Sequence, residues 1–184
     1  MIFEEIQSDV FLISLEKFQD ERGFFLESYN KSELSKLGID ISFIQDNLSF
    51  SSSKNTIRGL HYQKPPFNQN KLITVLQGSI FDVFIDIRKD SDNYGFCNSI
   101  ILDGPDKILL IPAGFVHGFC TLENNTIVSY KVDKQYNRMS ECGIIWNDHE
   151  LNIEWPFKGG TPILSDKDKS LSSWNSFMNE LKEK

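Results

Sequence analysis

Residues 111–119 decide the fold class, and they read Ile111-Pro112-Ala113-Gly114-Phe115-Val116-His117-Gly118-Phe119. The Pro-x-Gly step is a turn signal, and segments typical of strands lie on both sides of it, at Lys107–Ile111 and Phe119–Leu122. Similar short runs, separated by turns rich in Gly, Asp and Asn, recur as if in successive hairpins at Ile41–Ser51, Thr56–Gln63, Leu72–Leu76, Ser79–Ile87, Ser99–Leu102 and Thr126–Val132. Many short strands at close spacing predict a mainly β sandwich or barrel.

The N-terminal part of the chain continues the same pattern. Two segments rich in apolar and aromatic residues, Val10–Leu15 and Phe24–Tyr29, flank the turn-like sequence Asp20–Gly23, which predicts a first strand pair. A short helix should follow over Asn30–Gly38, because an Asn cap stands three residues before Glu33 and a glycine closes the segment.

The C-terminal tail predicts a second helix. Within Ser170–Lys184, the apolar residues fall at i, i+3, i+4 and i+7, which puts them on one helical face: Trp174, Phe177, Met178 and Leu181. We expect this helix to pack on the barrel.

Length and composition limit the class of protein. A chain of 184 residues with 40% hydrophobic content suits one domain over residues 1–184. The net charge of −7 argues against nucleic-acid binding, and no apolar run is long enough to span a membrane. Three cysteines without CxxC spacing, and an acidic start without a secretory pattern, predict a cytoplasmic protein.

Two of the three histidines have neighbours that indicate function. His61 precedes Lys71 by ten positions, and polar residues such as Arg58 and Gln63 surround it where a structural strand would carry apolar ones. His117 follows a Pro-x-Gly turn, as in the second cupin motif, which aims a histidine into the barrel. Because Gln63 replaces a second histidine of the first cupin motif and His149 falls in a separate loop, fewer than three metal ligands converge and we predict no metal.

Nine ordered motifs carry a more specific resemblance. The chain resembles the dTDP-4-dehydrorhamnose 3,5-epimerase family from about Phe3 to Lys169, in family order, at Asp20-Glu21-Arg22-Gly23-Phe24-Phe25, Gln45-Asp46-Asn47-Leu48-Ser49, Arg58-Gly59-Leu60-His61-Tyr62-Gln63, Asn70-Lys71-Leu72, Asp82-Val83 with Asp86-Ile87-Arg88, Ile111-Pro112-Ala113-Gly114-Phe115, His117-Gly118-Phe119, Tyr130-Lys131 and Leu164-Ser165-Asp166-Lys167-Asp168.

The resemblance implies a fold and an activity. The fold would be a cupin-type jelly-roll (double-stranded β-helix) barrel with a few short helices, including one at the C-terminus, assembled as a homodimer. The activity would be cofactor-free epimerisation of dTDP-4-keto-6-deoxy-D-glucose at C3 and C5 to dTDP-4-dehydro-L-rhamnose, in dTDP-L-rhamnose and cell-surface polysaccharide biosynthesis. Because the C4 ketone acidifies the neighbouring C–H groups, such an enzyme needs a base, an acid on the opposite face and a cation near the ketone oxygen.

Four residues match the catalytic positions of the family. His61 matches the base, and Asp168 matches the carboxylate that orients it. Lys71 matches the cation near the ketone, and Tyr130 matches the acid. From the residues alone, Asp168 equally suits a solvated loop, Lys71 a strand end in water, and Tyr130 an ordinary core position.

The family pattern also assigns substrate-binding residues. They are Arg22 and Glu27, which in the family reach from the partner subunit, together with Gln45, Asp46, Asn47, Arg58, His117, Tyr136, Glu141 and Lys167. Arginine grips a pyrophosphate bidentately, which suits the nucleotide half of the ligand. Phe24 either stacks on the base or belongs to the core.

Two alternative functions stay open at this point. Relatives with the same base and lysine epimerise only one carbon, or act on a related nucleotide sugar. The second alternative is a binding protein instead of an enzyme. Such a cupin would bind a sugar nucleotide without catalysis, and it would not need His61, Asp168 and Tyr130 together.

Overall fold

The structure, a computed structural model, describes residues 2–157 and 160–182. Within them the chain is mainly β, as predicted. The strands are β1 (Ile2–Gln7), β2 (Val10–Ser14), β3 (Lys17–Asp20), β4 (Gly23–Leu26), β5 (Gln45–Ser51), β6 (Ile57–Gln63), β7 (Lys71–Gln77), β8 (Ile80–Asp86), β9 (Cys97–Leu102), β10 (Lys107–Ile111), β11 (Phe115–Thr121), β12 (Thr126–Val132) and β13 (Glu141–Gly143). The helices are α1 (Lys31–Lys36), α2 (Asp166–Lys169) and α3 (Trp174–Lys182).

The strands form two antiparallel sheets and a separate hairpin. One sheet has the order β1-β2-β10-β7-β12-β5, the other has the order β13-β6-β11-β8-β9, and β3 pairs with β4. From β6 to β8 and from β10 to β12, each strand lies in the sheet opposite to that of its predecessor. The chain therefore crosses repeatedly between two facing sheets, as in the predicted jelly roll.

The prediction of successive hairpins is wrong for most of the barrel. Among the described strands, sequential partners occur at β1–β2, β3–β4 and β8–β9. The predicted pairing of Val10–Leu15 with Phe24–Tyr29 is also wrong, since Ser14 pairs with Ile2 on β1 and with Lys107 on β10. Apolar patterning identifies strands, but it does not specify the partner of each strand.

Three apolar clusters hold the layers together. The space between the sheets is filled by the cluster around Ile73, Phe84, Leu109 and Phe119. A second cluster lies between the outer face of the five-stranded sheet and α3, and a third covers the outer face of the six-stranded sheet with α1 and the N-terminal strands. Burial of these three faces is the main stabilising contribution to the fold.

Both predicted helices are present. Asn30 caps α1 by accepting hydrogen bonds from the backbone N–H groups of Ser32 and Glu33, at 2.9 and 3.3 Å. The predicted apolar face of the tail packs against the five-stranded sheet. The last two positions of the predicted tail helix, 183–184, lie outside the described residues. None of the described helices is both long and apolar enough to cross a membrane.

Candidate active site

A cavity of about 670 Å³ opens between the two sheets. Its walls come from β5, β7 and β12 on one side, from β6 and β11 on the other, and from residues 163–168 and Glu141 at the mouth. The volume lies within the range of small-molecule sites. Of the predicted site residues, this cavity is lined by His61, Lys71, Tyr130, Asp168, Arg58, His117, Tyr136, Glu141 and Lys167.

Two glycines bring the histidine-bearing strands unusually close. A Cβ on Gly59 would lie 2.6 Å from the Cα of Gly118, and Gly59 has a φ of +128°, which favours glycine. A Cβ on Gly118 would lie 2.8 Å from the carbonyl oxygen of Arg58. This close approach accompanies a register shift between β6 and β11, beside which His61 pairs directly with His117. Both imidazoles therefore lie on the cavity side.

His61 is bonded to a buried carboxylate. Its Nε2 lies 2.7 Å from Oδ1 of Asp168, whose side chain is only 6% exposed. Ser165 caps α2 by accepting from the backbone N–H of Asp168, and this fixes the carboxylate over the ring. Burial opposes ionisation of Asp168, but the hydrogen bond to His61 outweighs it and holds the pKa of that carboxyl below its ordinary value. With Nε2 directed at Asp168, the Nδ1 atom of His61 is left to accept a proton.

Lys71 is the first residue of β7 and lines the cavity. The sequence left its direction open. Desolvation by the surrounding walls lowers the pKa of Lys71 to about 8, and the negative charges of Asp82 and Glu141 partly oppose this shift. At neutral pH the ammonium group is therefore protonated, yet weakly hydrated, which suits stabilisation of a developing oxyanion.

Tyr130 lies on β12, in the sheet that faces the His61 strand. Burial raises the pKa of its phenol, although the positive charge of Arg58 works in the other direction. The hydroxyl thus keeps its proton at neutral pH. Since Tyr130 and His61 stand on opposite sheets, a ligand between them meets one group on each side.

A polar cluster lies at the mouth of the cavity. The Tyr136 hydroxyl donates to Oε2 of Glu141 at 2.6 Å, and Lys167 forms an ion pair with the other oxygen of the same carboxylate. Burial works against ionisation of Glu141, but these two partners hold its pKa below the ordinary value. Arg58 also lines the cavity and is anchored to the last residue of β5, since its Nε donates to Ser51 at 3.2 Å.

Five of the predicted binding residues lie outside the cavity lining. Asn47 pairs with Tyr130, so it shares the inward side of β5, and it accepts a hydrogen bond from Gln45 at 2.8 Å. Asp46 lies on the other side of that strand and forms an ion pair with Lys131 at 2.8 Å. The remaining two, Arg22 and Glu27, lie in and just after the β3–β4 hairpin.

The hairpin itself is exposed. Arg22 is 89% exposed and forms an ion pair with Asp20 at 2.6 Å. Phe24 is exposed too, with the ammonium of Lys17 at 4.9 Å from its ring centre, so the assignment of Phe24 to the core is wrong. The short strands β3 and β4 have no core face that would bury it.

Two residues without a predicted role belong to the site. Asp82 of β8 is fully buried beneath the cavity and is bonded to His117, whereas Ser49 of β5 presents a buried hydroxyl at the cavity wall. The signal for Asp82 was an acidic residue within the apolar strand sequence Phe81-Asp82-Val83-Phe84. In residues 2–157 and 160–182, no cluster of three or more His, Cys, Asp or Glu side chains has an arrangement that could hold a metal ion.

The fold and the site together define a class. A cupin-type barrel whose cavity places a carboxylate-bound histidine opposite a tyrosine, with a partly buried lysine in the same lining, has the layout of an enzyme that removes and returns protons next to a carbonyl group. Sequence comparison specifies the family. The profile described as dTDP-4-dehydrorhamnose 3,5-epimerase matches residues 5–176, and the chain belongs to that family of isomerases.

Individual relatives agree with this membership. The dTDP-4-dehydrorhamnose 3,5-epimerase of Shigella flexneri is 44% identical over 162 residues, which cover 87% of this chain and 88% of the relative. The crystal structure of the Bacillus anthracis enzyme, with TDP and pyrophosphate bound, is 50% identical with a TM-score of 0.89, covering 92% of this chain and 97% of the other. That of the Legionella pneumophila enzyme, in complex with dTDP-4-keto-L-rhamnose, is 38% identical with a TM-score of 0.89, covering 98% and 96%.

Proposed function

We propose that the protein converts dTDP-4-keto-6-deoxy-D-glucose into dTDP-4-dehydro-L-rhamnose by inverting C3 and C5, and so supplies dTDP-L-rhamnose for cell-surface polysaccharides. Family membership gives the reaction. The observation that carries the mechanism is the position of His61 and Tyr130 on facing sheets of one cavity. Inversion needs a proton to leave one face of the sugar and another to arrive on the opposite face.

Proton removal is assigned to His61. The Nδ1 atom takes the hydrogen from the carbon next to the ketone, and the imidazolium that forms is stabilised by Asp168 through the 2.7 Å hydrogen bond at Nε2. The electrons of the broken C–H bond move onto the C4 oxygen and give an enolate. One base can serve both carbons, because C3 and C5 flank the same ketone and the imidazolium releases its proton to solvent between the two steps.

Stabilisation of the enolate is assigned to Lys71. Its ammonium group is protonated at neutral pH and stands in a partly desolvated wall, where a charge interaction is stronger than in water. Loss of one positioned donor of this kind typically slows a reaction by about 10²- to 10³-fold.

Tyr130 then completes the inversion. Its phenol gives a proton to the carbon on the face away from His61, the ketone re-forms, and the phenolate regains a proton from solvent. The raised pKa of Tyr130 keeps the acid loaded before each turnover.

The nucleotide is assigned to the mouth of the cavity. Arg58 and Lys167 supply positive charge on the cavity lining, and a pyrophosphate needs such cations. Gln45, Asp46 and Asn47 would contact the nucleotide beyond the described lining, from the first residues of β5.

We also propose that the enzyme is a homodimer in which Arg22 and Glu27 complete the partner's site. Two surfaces support it. Strand β5 is an edge strand whose outward residues Leu48 and Phe50 are exposed, and the β3–β4 hairpin exposes Phe18, Phe24 and Phe25. Open apolar edges are a liability unless another chain covers them. An isologous pairing would cover both surfaces at once.

Two further expectations accompany the dimer. We propose one cupin-like domain over residues 1–184, which is supported by core clusters that share the same two sheets. The three cysteines lack a disulfide spacing, which supports action in the reducing cytoplasm.

One experiment tests the proposed reaction directly. The protein is incubated with dTDP-4-keto-6-deoxyglucose in deuterium oxide, and labelled carbons and sugar configuration are followed by NMR. Label and inversion at both C3 and C5 are expected. Label at one carbon would make the protein a single-carbon epimerase, and nucleotide binding without label would make it a non-catalytic cupin.

A further inference from the structure

Asp82 is a buried carboxylate that the mechanism above does not use. It lies on β8, is 0% exposed, and its two oxygens are 3.0 and 2.9 Å from Nε2 of His117. The carboxylate is therefore hydrogen-bonded to the His117 ring. A carboxylate this deeply buried is costly unless it is paired, so the pair needs an explanation.

The geometry fixes the proton on the His117 ring. Burial lowers the pKa of His117, and the neighbouring Lys71 adds to this, while Asp82 opposes it, so the ring is neutral at physiological pH. A neutral imidazole carries one N–H group. Because two carboxylate oxygens surround Nε2, the N–H lies on Nε2 and donates to Asp82. Nδ1 is then a hydrogen-bond acceptor.

The position of His117 makes that acceptor relevant to the sugar. His117 pairs directly with the base His61 across β6 and β11, and both rings line the cavity with Lys71. A sugar whose C3 and C5 meet His61 therefore has its ring beside His117, and the donors on that ring are hydroxyl groups.

We propose that Asp82 is a positioning residue, which holds His117 in its Nε2–H tautomer so that Nδ1 accepts a hydrogen bond from a hydroxyl group of the bound sugar. The inference rests on the proposed function and deepens it, because it assigns His117 to recognition of a sugar hydroxyl instead of to the nucleotide. Without Asp82 the imidazole could carry its proton on Nδ1. An N–H group would then face the sugar hydroxyl, and the hydroxyl could no longer donate to Nδ1.

The ring protons of wild-type protein give the first test. In ¹⁵N-resolved NMR, His117 should show a protonated Nε2 and an unprotonated Nδ1 across the neutral pH range. An Nδ1–H signal would overturn the proposal without any variant. This measurement also stands if a substitution at Asp82 prevents folding.

Substrate analogues give the second test. Deuterium exchange at C5 is measured for dTDP-4-keto sugars that lack either the 2-hydroxyl or the 3-hydroxyl, with wild type and with Asp82→Asn. For wild type, removing the hydroxyl that donates to His117 should lower kcat/KM by about 10- to 100-fold, since the buried Nδ1 loses its hydrogen-bond donor. Asp82→Asn should show a similar loss with the normal substrate and little further loss with that analogue.

A matched control separates positioning from stability. Asp86 is equally buried on the same strand and pairs with Arg88 at 2.7 Å, so Asp86→Asn removes a buried carboxylate that is bonded to Arg88 and not to His117. It should lower thermal stability and leave both the His117 spectrum and the analogue discrimination unchanged. For each analogue, the decrease in kcat/KM caused by Asp82→Asn is compared with the decrease caused by the missing hydroxyl. If the two decreases multiply for both analogues, Asp82 acts independently of the hydroxyl groups and has only a structural role. Absence of exchange in wild type would instead refute the proposed function.

Discussion

At the scale of single residues, the site depends on contacts between positions far apart in the chain. His61 and Asp168 are 107 positions apart, yet they lie 2.7 Å from each other. The pair resembles an acyl-transfer dyad in its logic, because a buried carboxylate sets the ring orientation and stabilises the protonated form. Three expectations belong to this scale.

Replacing His61 should remove exchange at both carbons. His61→Asn keeps a polar side chain of similar size but has no base, so label at C3 and C5 should fall by about 10²- to 10⁴-fold. NMR of the sugar measures the label, and circular dichroism on the same sample measures the folded fraction. The exposed His149 provides the control, since His149→Asn should behave as wild type. A folded His61→Asn protein that labels both carbons normally would sink the mechanism.

Replacing Tyr130 should separate exchange from inversion. Tyr130→Phe removes only the acid, so His61 should still take protons and return deuterium to the same face. Label without a change in configuration is the expected result, measured by NMR coupling constants. Tyr94→Phe, at an exposed position outside the cavity, is the matched control. Normal inversion by Tyr130→Phe would make Tyr136 or a water molecule the acid.

The rate should fall as the pH rises through about 8, the pKa of Lys71. The sign follows from the charge, since desolvation lowers this pKa from its ordinary value and the reaction uses the protonated form, which is lost above the lowered pKa. Exchange at saturating substrate is measured against pH. Lys71→Arg stays protonated and should move the alkaline limb upward, whereas Lys54→Arg on the exposed surface should not move it. If the alkaline limb of the pH–rate profile stays at the same pH in Lys71→Arg, the titrating group is not Lys71.

At the scale of elements, the strand pair β6–β11 determines where the two histidines lie. Their backbones approach closely because Gly59 and Gly118 face each other without side chains. The short helix α2 then brings Asp168 over His61 from the other end of the chain. Packing at backbone distance leaves no space for relaxation, which makes the contact sensitive to one added methyl group.

Gly118→Ala should therefore reduce both stability and turnover. The added Cβ would meet the backbone of Arg58 at 2.8 Å and of Gly59 at 3.0 Å, and overpacking of this kind costs about 1–3 kcal/mol in the free energy of unfolding. Urea unfolding and deuterium exchange per folded molecule measure the two effects. Gly104→Ala should be nearly neutral, because its nearest neighbour is the flexible end of Asp106. Wild-type values for Gly118→Ala would show that the strands can separate freely.

At the scale of the whole molecule, the proposed dimer explains the exposed apolar surface. Phe25→Glu at the hairpin, where the wild-type side chain is 69% exposed, should convert a dimer into a monomer and weaken substrate binding, because Arg22 leaves the partner's site. Light scattering measures the mass, and kinetics measure KM. Phe96→Glu, at an exposed aromatic residue just before β9 of the five-stranded sheet, should keep the dimer. A fully active wild-type monomer at assay concentration would contradict the shared site.

Local sequence patterns predicted most elements and the chemistry, whereas the strand partners depend on the folded chain. Strand patterning, the Asn30 cap and the apolar tail face predicted most elements, because those signals are local. Ordered motifs predicted the family and most of the site residues, although Asp82 and Ser49, which lie within those motifs, received no predicted role. Strand pairing, the α2 position of Asp168, the direction of Lys71 and the exposure of Phe24 depended on contacts between distant segments. Local residue patterns cannot specify them, because one strand pattern is compatible with many partners and only the closed barrel selects among them.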